Sequence, residues 1–407
     1  MKILLSALIV FCDLFTTVNP AFAQTWTQTS APITNLLWQS IVSSADGSQI
    51  TAVAQTSAQP LTGPIYSSFD SGLTWTSNTL SPKAWIAIAS SADGTKLVSL
   101  VRNGLGYAST NSGFFWNNSL PNANWYSVAS SADGTKLVAV AGTGSIYTST
   151  NSGNNWFLIS GTSGMFWRSV ASSADGKKLV AVNRRSGSPG GSIYTSTDSG
   201  DSWISNNAPN LIWVSVASSA DGNILAAAPG GFNLGNGPIC VSTNSGSTWM
   251  TNSSPILAWT TIAASADGRK LIAAALKADG NSVFSNSIFT STDFGATWVS
   301  NNVPALNWSS VAVSADGNKL VAATIYGGIW TSQTTSSPQL NIETSSTNLM
   351  FSWVVPSMNF VLQQNADLII TNWVTLTNEP VLNLTNLNNE LVLSPSNSSG
   401  LFRLISQ

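Results

Sequence analysis

The sequence predicts an all-β chain: a closed ring of seven four-stranded sheets followed by a smaller β module. Three observations carry this. The string Ser-Ala-Asp-Gly occurs seven times, with its Asp at 46, 93, 133, 175, 221, 267 and 316, so one copy follows another every 40 to 49 residues. A Trp stands eight residues before each of these Asp, at 38, 85, 125, 167, 213, 259 and 308. A second turn built from Asp or Asn, Gly and Trp lies between the copies and recurs six times. A repeat of this length with several strand and turn signals per copy is the signature of a β-propeller, each repeat being one radial blade.

Each unit reads as four strands. The first opens at the Trp, as in Trp125-Tyr126-Ser127-Val128, with the alternation of a half-covered strand. It runs into Asp-Gly, a hairpin signal, because Gly takes positive φ without steric penalty and Asp bonds the backbone just ahead of it. The second strand is a short apolar run such as Leu137 to Val140, and the third resembles Ser145 to Thr150. The third ends in the second turn, and a short fourth strand is expected to begin with the Trp of that turn. With the first strand innermost, both repeated turns fall on one face of the ring. The loops between second and third strands fall on the other.

The second turn is the most specific pattern: Ser-Phe-Asp70-Ser-Gly72-Leu-Thr-Trp75, with equivalents at Asp198 and Asp293. Asn111, Asn151 and Asn244 replace Asp in three further copies, and Asn offers the same side-chain bonds to the backbone. These six turns resemble the Asp-box, or bacterial neuraminidase repeat, of sialidase-type β-propellers, over roughly residues 24–334. The resemblance implies an Arg cluster, a Tyr nucleophile paired with Glu, and an Asp acid/base. The inventory runs against it: Glu343, Glu379 and Glu390 are the only Glu and all lie in the tail, and the chain has no His. Asp279 is the one acidic residue of the repeat region outside a repeated turn, whereas glycoside hydrolysis asks for two carboxyl groups about 5–10 Å apart. A divergent glycosidase would need Asp279 and a second group. The Gly-x-Ile-Tyr-x-Ser-x-Asp-x-Gly-x-x-Trp pattern also resembles propellers of photosystem assembly factors, a resemblance that implies basic patches not matched here.

Seven first strands face only six complete second turns. The last unit stops at Ile329 to Thr334, while Gln24-Thr25-Trp26-Thr27 resembles an isolated fourth strand. The N-terminal strand is therefore expected to complete the seventh sheet and close the ring, which removes exposed strand edges. Residues 1–23 read as a secretory signal peptide, with Lys2, an apolar stretch and Ala21-Phe22-Ala23. No later segment is long and apolar enough to span a bilayer. The protein is expected to be secreted, to an extracellular, periplasmic or cell-surface location, and to be a monomer. Cys12 leaves with the signal, so Cys240 has no partner for a disulfide. Beyond a linker at 335–338, residues 339–407 form a separate β module, with strands expected at Leu349–Trp353, Phe360–Gln363, Trp373–Leu376, Glu390–Leu393 and Leu401–Leu404. This tail resembles modules that end secreted proteins of Verrucomicrobia-type bacteria.

Function follows from what the composition lacks. Charged residues are 8% of the chain and the net charge is −2, so nothing forms the basic stripe that nucleic-acid binding requires. No metal or cofactor site is expected, since calcium takes 6–8 oxygen ligands and each turn offers one Asp. Counting from each Ser-Ala-Asp to the next second-turn Asp or Asn gives 24, 18, 18, 23, 23 and 26 residues. The insertions of the fourth, fifth and sixth units hold Arg184 and Arg185, Phe232 and Asn233, and Lys277 and Asp279. Neighbouring insertions on a loop face point to ligand binding. The reading is a non-catalytic module that binds a glycan or a protein there. The Trp that open the first strands are expected to pack between sheets rather than to stack sugars.

Overall fold

The computed structural model describes residues 25–406, apart from 79, 143, 185–189, 231–235, 252, 279–283, 345–347, 366–371 and 394–399, and describes only the backbone of 276–278 and 284–286. The segment read as a signal peptide lies outside the described residues. Between Thr27 and Gln333 the strands make seven four-stranded sheets. The unit of Trp125–Ser130, Leu137–Ala141, Ser145–Ser149 and Phe157–Leu158 is representative. Its strands pair antiparallel in chain order. Leu137–Ala141 is buried at every position, as an apolar run must be when neighbouring sheets cover both of its faces. The fourth strand begins one residue later than expected: Trp156 remains in the turn, and only Phe157 and Leu158 pair with Thr148 and Tyr147.

Each first strand carries a register shift immediately after its Trp, as between Trp125 and Ser127. The residue that follows the Trp is a β-bulge in all seven sheets. The seven Trp themselves are almost wholly buried, at 0–1% exposure. Each packs against the preceding sheet, as Trp125 does on Val98 and Leu100, and six of the seven meet an aromatic ring of their own sheet, as with Tyr147 at 5.3 Å, whereas Trp213 packs in a cluster with Cys240. This is packing between sheets, as the sequence reading prefers, and it leaves no Trp face free for sugar.

Neighbouring sheets are joined by backbone hydrogen bonds at the Ser-Ala-Asp-Gly turns. The amide of Ala45 donates to the carbonyl of Ala92 at 2.7 Å, Ala92 to Ala132, Ala132 to Ala174, Ala174 to Ala220, Ala220 to Ala266, Ala266 to Ala315, and Ala315 back to Ala45 at 2.7 Å. Side chains repeat the linkage along the first strands. Ser40 Oγ accepts from the Ile88 amide, and Ser310 Oγ from the Ile41 amide, which joins the last sheet to the first.

The sheet of Trp308–Val313, Lys319–Thr324 and Ile329–Gln333 takes its fourth strand from Thr27–Gln28, paired to Thr331 and Trp330. Trp26 is 8% exposed and lies 6.3 Å from Trp308. The tail forms two further sheets. Asn341–Thr344, Leu349–Val354, Asn388–Leu393 and Val381–Asn383 make one, and Phe360–Asn365 with Val374–Thr375 and Leu401–Ser406 makes the other. Phe351, Trp353 and Leu391 of the first pack on Leu362 of the second. Two of these strands, Asn341–Thr344 and Val381–Asn383, are not evident in the sequence. The expected strand Trp373–Leu376 contracts to Val374–Thr375, with the Leu376 amide still donating to the Leu362 carbonyl and Trp373 lying under the Arg403 guanidinium at 4.2 Å.

Trp26→Ala is expected to destabilise the fold by about 3–5 kcal/mol, the usual cost of truncating a buried Trp, and deletion of residues 24–30 by more. Thermal unfolding checks this; an unchanged melting temperature would contradict closure by the N-terminal strand.

Candidate functional site

The two repeated turns of each sheet lie together. The amide of Ser71 donates to the carbonyl of Ser48, Ser112 to Thr95, and Ser199 to Lys177. In the inner turn, Ser44 Oγ donates to Asp46 Oδ1 at 2.5 Å while accepting from the Gln49 amide, and Asp46 Oδ1 accepts from the Ser48 amide. In the outer turn, Asp70 accepts from Ser68 Oγ, from the Thr74 amide and from Thr74 Oγ1. Trp75 Nε1 closes the turn on the Gly72 carbonyl at 3.1 Å. Ser71 and Gly72 both take positive φ, 62° and 93°, and a Gly at the second position spares the fold one of two strained residues. Asn111, Asn151 and Asn244 accept the same backbone bond from Phe115, Asn155 and Thr248.

These bonds dictate the electrostatics. The Thr74 hydroxyl, ahead of the other donors, brings Asp70 down to about 2, and the Ser202 hydroxyl does the same to Asp198. A carboxylate so held is a poor proton donor near neutrality. The described Asp of the seven sheets are all engaged in such turns except Asp201, which is exposed within the Asp198 turn. Among the described residues no group of three or more His, Cys, Asp or Glu is placed to hold a metal ion. Cys240 is a free, buried thiol, and its burial raises it to about 11.

The turn face is also closed at its centre. A cavity of about 170 Å³ on the ring axis is lined by the seven Ser-Ala steps and by Leu387 of the tail. Leu387 packs against the seven Ala of the inner turns. It sits at φ 57° in a tight turn in which its amide donates to the Asn383 carbonyl and its carbonyl accepts from the Val355 amide. Off the axis, Asp316 Oδ2 accepts from the amide and the hydroxyl of Ser357 at 2.7 and 2.9 Å. Seven near-identical seats surround one leucine, whereas the contacts of Ser357 with Asp316 and Gln333 belong to one sheet alone.

The opposite face carries the loops and the residues expected to bind ligand. Arg184 ends the strand Leu179–Arg184, is half-buried, and pairs across the sheet with Phe166, itself 42% exposed. Lys277 pairs through its backbone with Ser285 in a lengthened hairpin of Leu271–Ala278 and Phe284–Ser291. Arg185, Phe232, Asn233 and Asp279 lie outside the described residues. The sequence reading passed over a pair on this same face: the Arg168 guanidinium lies over the Tyr126 ring at 4.8 Å. Both follow a first-strand Trp, and the signal available was that this position changes chemistry from one copy to the next.

No protein-family model and no curated protein matches the chain. Solved structures do. A YCF48 protein bound to a D1 peptide superposes with a TM-score of 0.55 at 17% identity, over 77% of this chain and 97% of that one. YCF48 from Cyanidioschyzon merolae gives 0.53 at 16%, over 76% and 98%. The GH74 xyloglucanase from Xanthomonas campestris gives 0.58 at 16%, over 81% of this chain but 59% of the enzyme, so the chain spans less than two thirds of the enzyme's length. Likeness at these identities is one of fold, and that fold is a β-propeller.

Two outcomes follow for the turn face. Asp198→Ala is expected to cost about 1 kcal/mol near neutral pH through lost turn bonds. Because folding lowers this carboxyl from 3.8 to about 2, its contribution is whole above about pH 4 and is lost as pH falls towards 2. Denaturant titrations of parent and variant should therefore converge at low pH, and a constant gap would assign the loss to something other than the carboxylate. Leu387→Asp should free the tail, since an unpaired carboxylate cannot be seated among seven alanines without heavy desolvation cost. Proteinase K should then cut the 334–338 linker at least several-fold faster, and an unaltered rate would show that Leu387 does not hold the tail.

Proposed function

We propose that the chain is a secreted, non-catalytic recognition or scaffold module: a seven-bladed β-propeller of the Asp-box kind, residues 24–334, closed by its N-terminal strand. On this reading residues 1–23 are the export signal, 335–338 a linker and 339–407 a separate C-terminal β module. The ligand is an extracellular glycan or protein, taken at the loop face by Arg184, Arg185, Phe232, Asn233, Lys277 and Asp279. The observation that carries the reading is the division of labour between faces. The described propeller carboxylates are concentrated in turns on one face and all but Asp201 are held by hydrogen bonds there. The copies differ most in their loops on the other face, where binding residues are usually displayed. A YCF48 structure bound to a peptide supports a protein ligand, and the xyloglucanase likeness supports a glycan ligand.

Screening on a glycan array and against extracellular proteins, alongside hydrolysis assays with sialosides and xyloglucan, tests this. Retention without turnover is expected, at about millimolar to micromolar affinity for a single shallow contact. The double variant Arg185→Ala with Asp279→Ala should lose retention at an unchanged melting temperature. Turnover that disappears with Asp279 would instead establish a divergent glycoside hydrolase.

A further inference from the structure

The seven bulges after the first-strand Trp present seven half-buried side chains. First strands run from the loop face to the Ser-Ala-Asp-Gly turns, so these residues ring the end of the central channel that Leu387 does not close. A bulge re-aims a side chain and is a device of binding and active sites. Here the bulge recurs in every sheet while the side chain it displays does not. The chemistry is sorted around the ring. Ile86, Tyr126, Arg168 and Val214 come from four consecutive sheets, the second to the fifth. Thr260 and Ser309, from the sixth and seventh, spend their hydroxyls on the carbonyls of Ala274 and Ala323.

Arg168 is the focus of that arc. The Tyr126 ring covers one face of its guanidinium, which leaves the edge with its forked donors for a ligand. Among the described residues the sole ion pair is Lys177 with Asp175 on the turn face, so no described carboxylate neutralises Arg168. The described cations of the loop face are Lys83, Arg102, Arg168 and Arg184, while the described acids of the seven sheets all lie in turns on the other face. The described charge of the loop face is therefore wholly positive.

We propose that this mouth binds an acidic peptide segment, with a Glu or Asp carboxylate forked by Arg168 and flanking apolar side chains on Ile86 and Val214. This deepens the recognition reading and rests on it. Aliphatic neighbours complement peptide side chains, whereas a sugar needs an open aromatic face. The first-strand Trp rings offer none, Tyr126 has one face taken by Arg168, and Phe166, 42% exposed beside Arg184, is the single open ring described on those strands. An acidic polysaccharide is accordingly the disfavoured ligand.

The full chain is titrated with fluorescein-labelled Gly-Leu-Glu-Leu-Gly, its Gln analogue and a labelled oligogalacturonate, at low and physiological salt. The Glu peptide should bind at least about tenfold more tightly than the Gln analogue and than the uronate, with an advantage that shrinks as salt screens the pair. Arg168→Ala should remove that advantage and Arg168→Lys most of it, since an ammonium cannot fork a carboxylate. Lys136→Ala, on the turn face, should leave it intact. Equal binding of Glu and Gln peptides, preference for the uronate, or no binding of the Glu peptide at 1 mM would overturn the proposal. The two-peptide comparison on the parent protein keeps the test decisive if Arg168→Ala fails to fold. Retention of another ligand that depends on Arg185 and Asp279 but not on Arg168 would sink this inference alone. Hydrolysis of sialoside or xyloglucan would sink the recognition reading beneath it.

Discussion

The seven alanine amides that donate from sheet to sheet are the constraint on which the rest of this molecule depends. A radial sheet has an inner edge along the channel, and its polar backbone groups need partners once neighbours crowd around them. Here the inner turn solves the problem by reaching sideways, Ala45 to Ala92 and onward until Ala315 returns to Ala45. Each such bond is worth only about 0.5–1.5 kcal/mol net. Their cyclic arrangement matters more than their sum, since each turn is held on both sides and none lies at an end. The Ser and Asp of the same turn brace it from within, through Ser44 to Asp46 and its equivalents.

Closure then determines what the two faces can do. With the inner turns locked against one another, the outer turns are tied to them, Ser71 to Ser48 being one case, and one whole face becomes a hydrogen-bonded plate. Its described carboxylates, Asp201 apart, are held by hydrogen bonds within the turns. Glycines are required within it: a Cβ on Gly134, already at φ 66°, would stand 2.8 Å from the side chain of Lys96 in the preceding sheet. The tail covers the centre of the plate through Leu387. Freedom to vary is confined to the loop ends of the strands, where insertions and bulged residues differ from copy to copy without disturbing the ring.

The sequence made the repeated parts of this structure legible because repetition averages over context. Seven Trp and seven Asp-Gly turns at matched spacing locate the first two strands of every sheet, and the unpaired sheet at the end of the repeats directs Trp26 to its place beside Trp308. What occurs once was harder to read. Leu387 lies in a polar run, Asn386-Leu387-Asn388-Asn389-Glu390, and only the ring of alanines beneath it gives the side chain a purpose. The bulge after each Trp is invisible to alternation, because one extra residue in a strand looks like ordinary sequence until its partner strand is known. In the tail, Val381–Asn383 is too short to announce a strand, and its pairing with Asn388–Leu393 supplies what its length does not. Of the expected binding residues, Arg184 stands at the loop end of its strand as its position in the repeat implies.

Native-state hydrogen exchange of the seven alanine amides, at 45, 92, 132, 174, 220, 266 and 315, tests the closed ring most directly. In a ring without an end, all seven exchange only through global unfolding and share one free energy of opening. A lower opening free energy confined to Ala315, the amide that bridges the last sheet to the first, would show that the ring opens at that seam and would contradict the account.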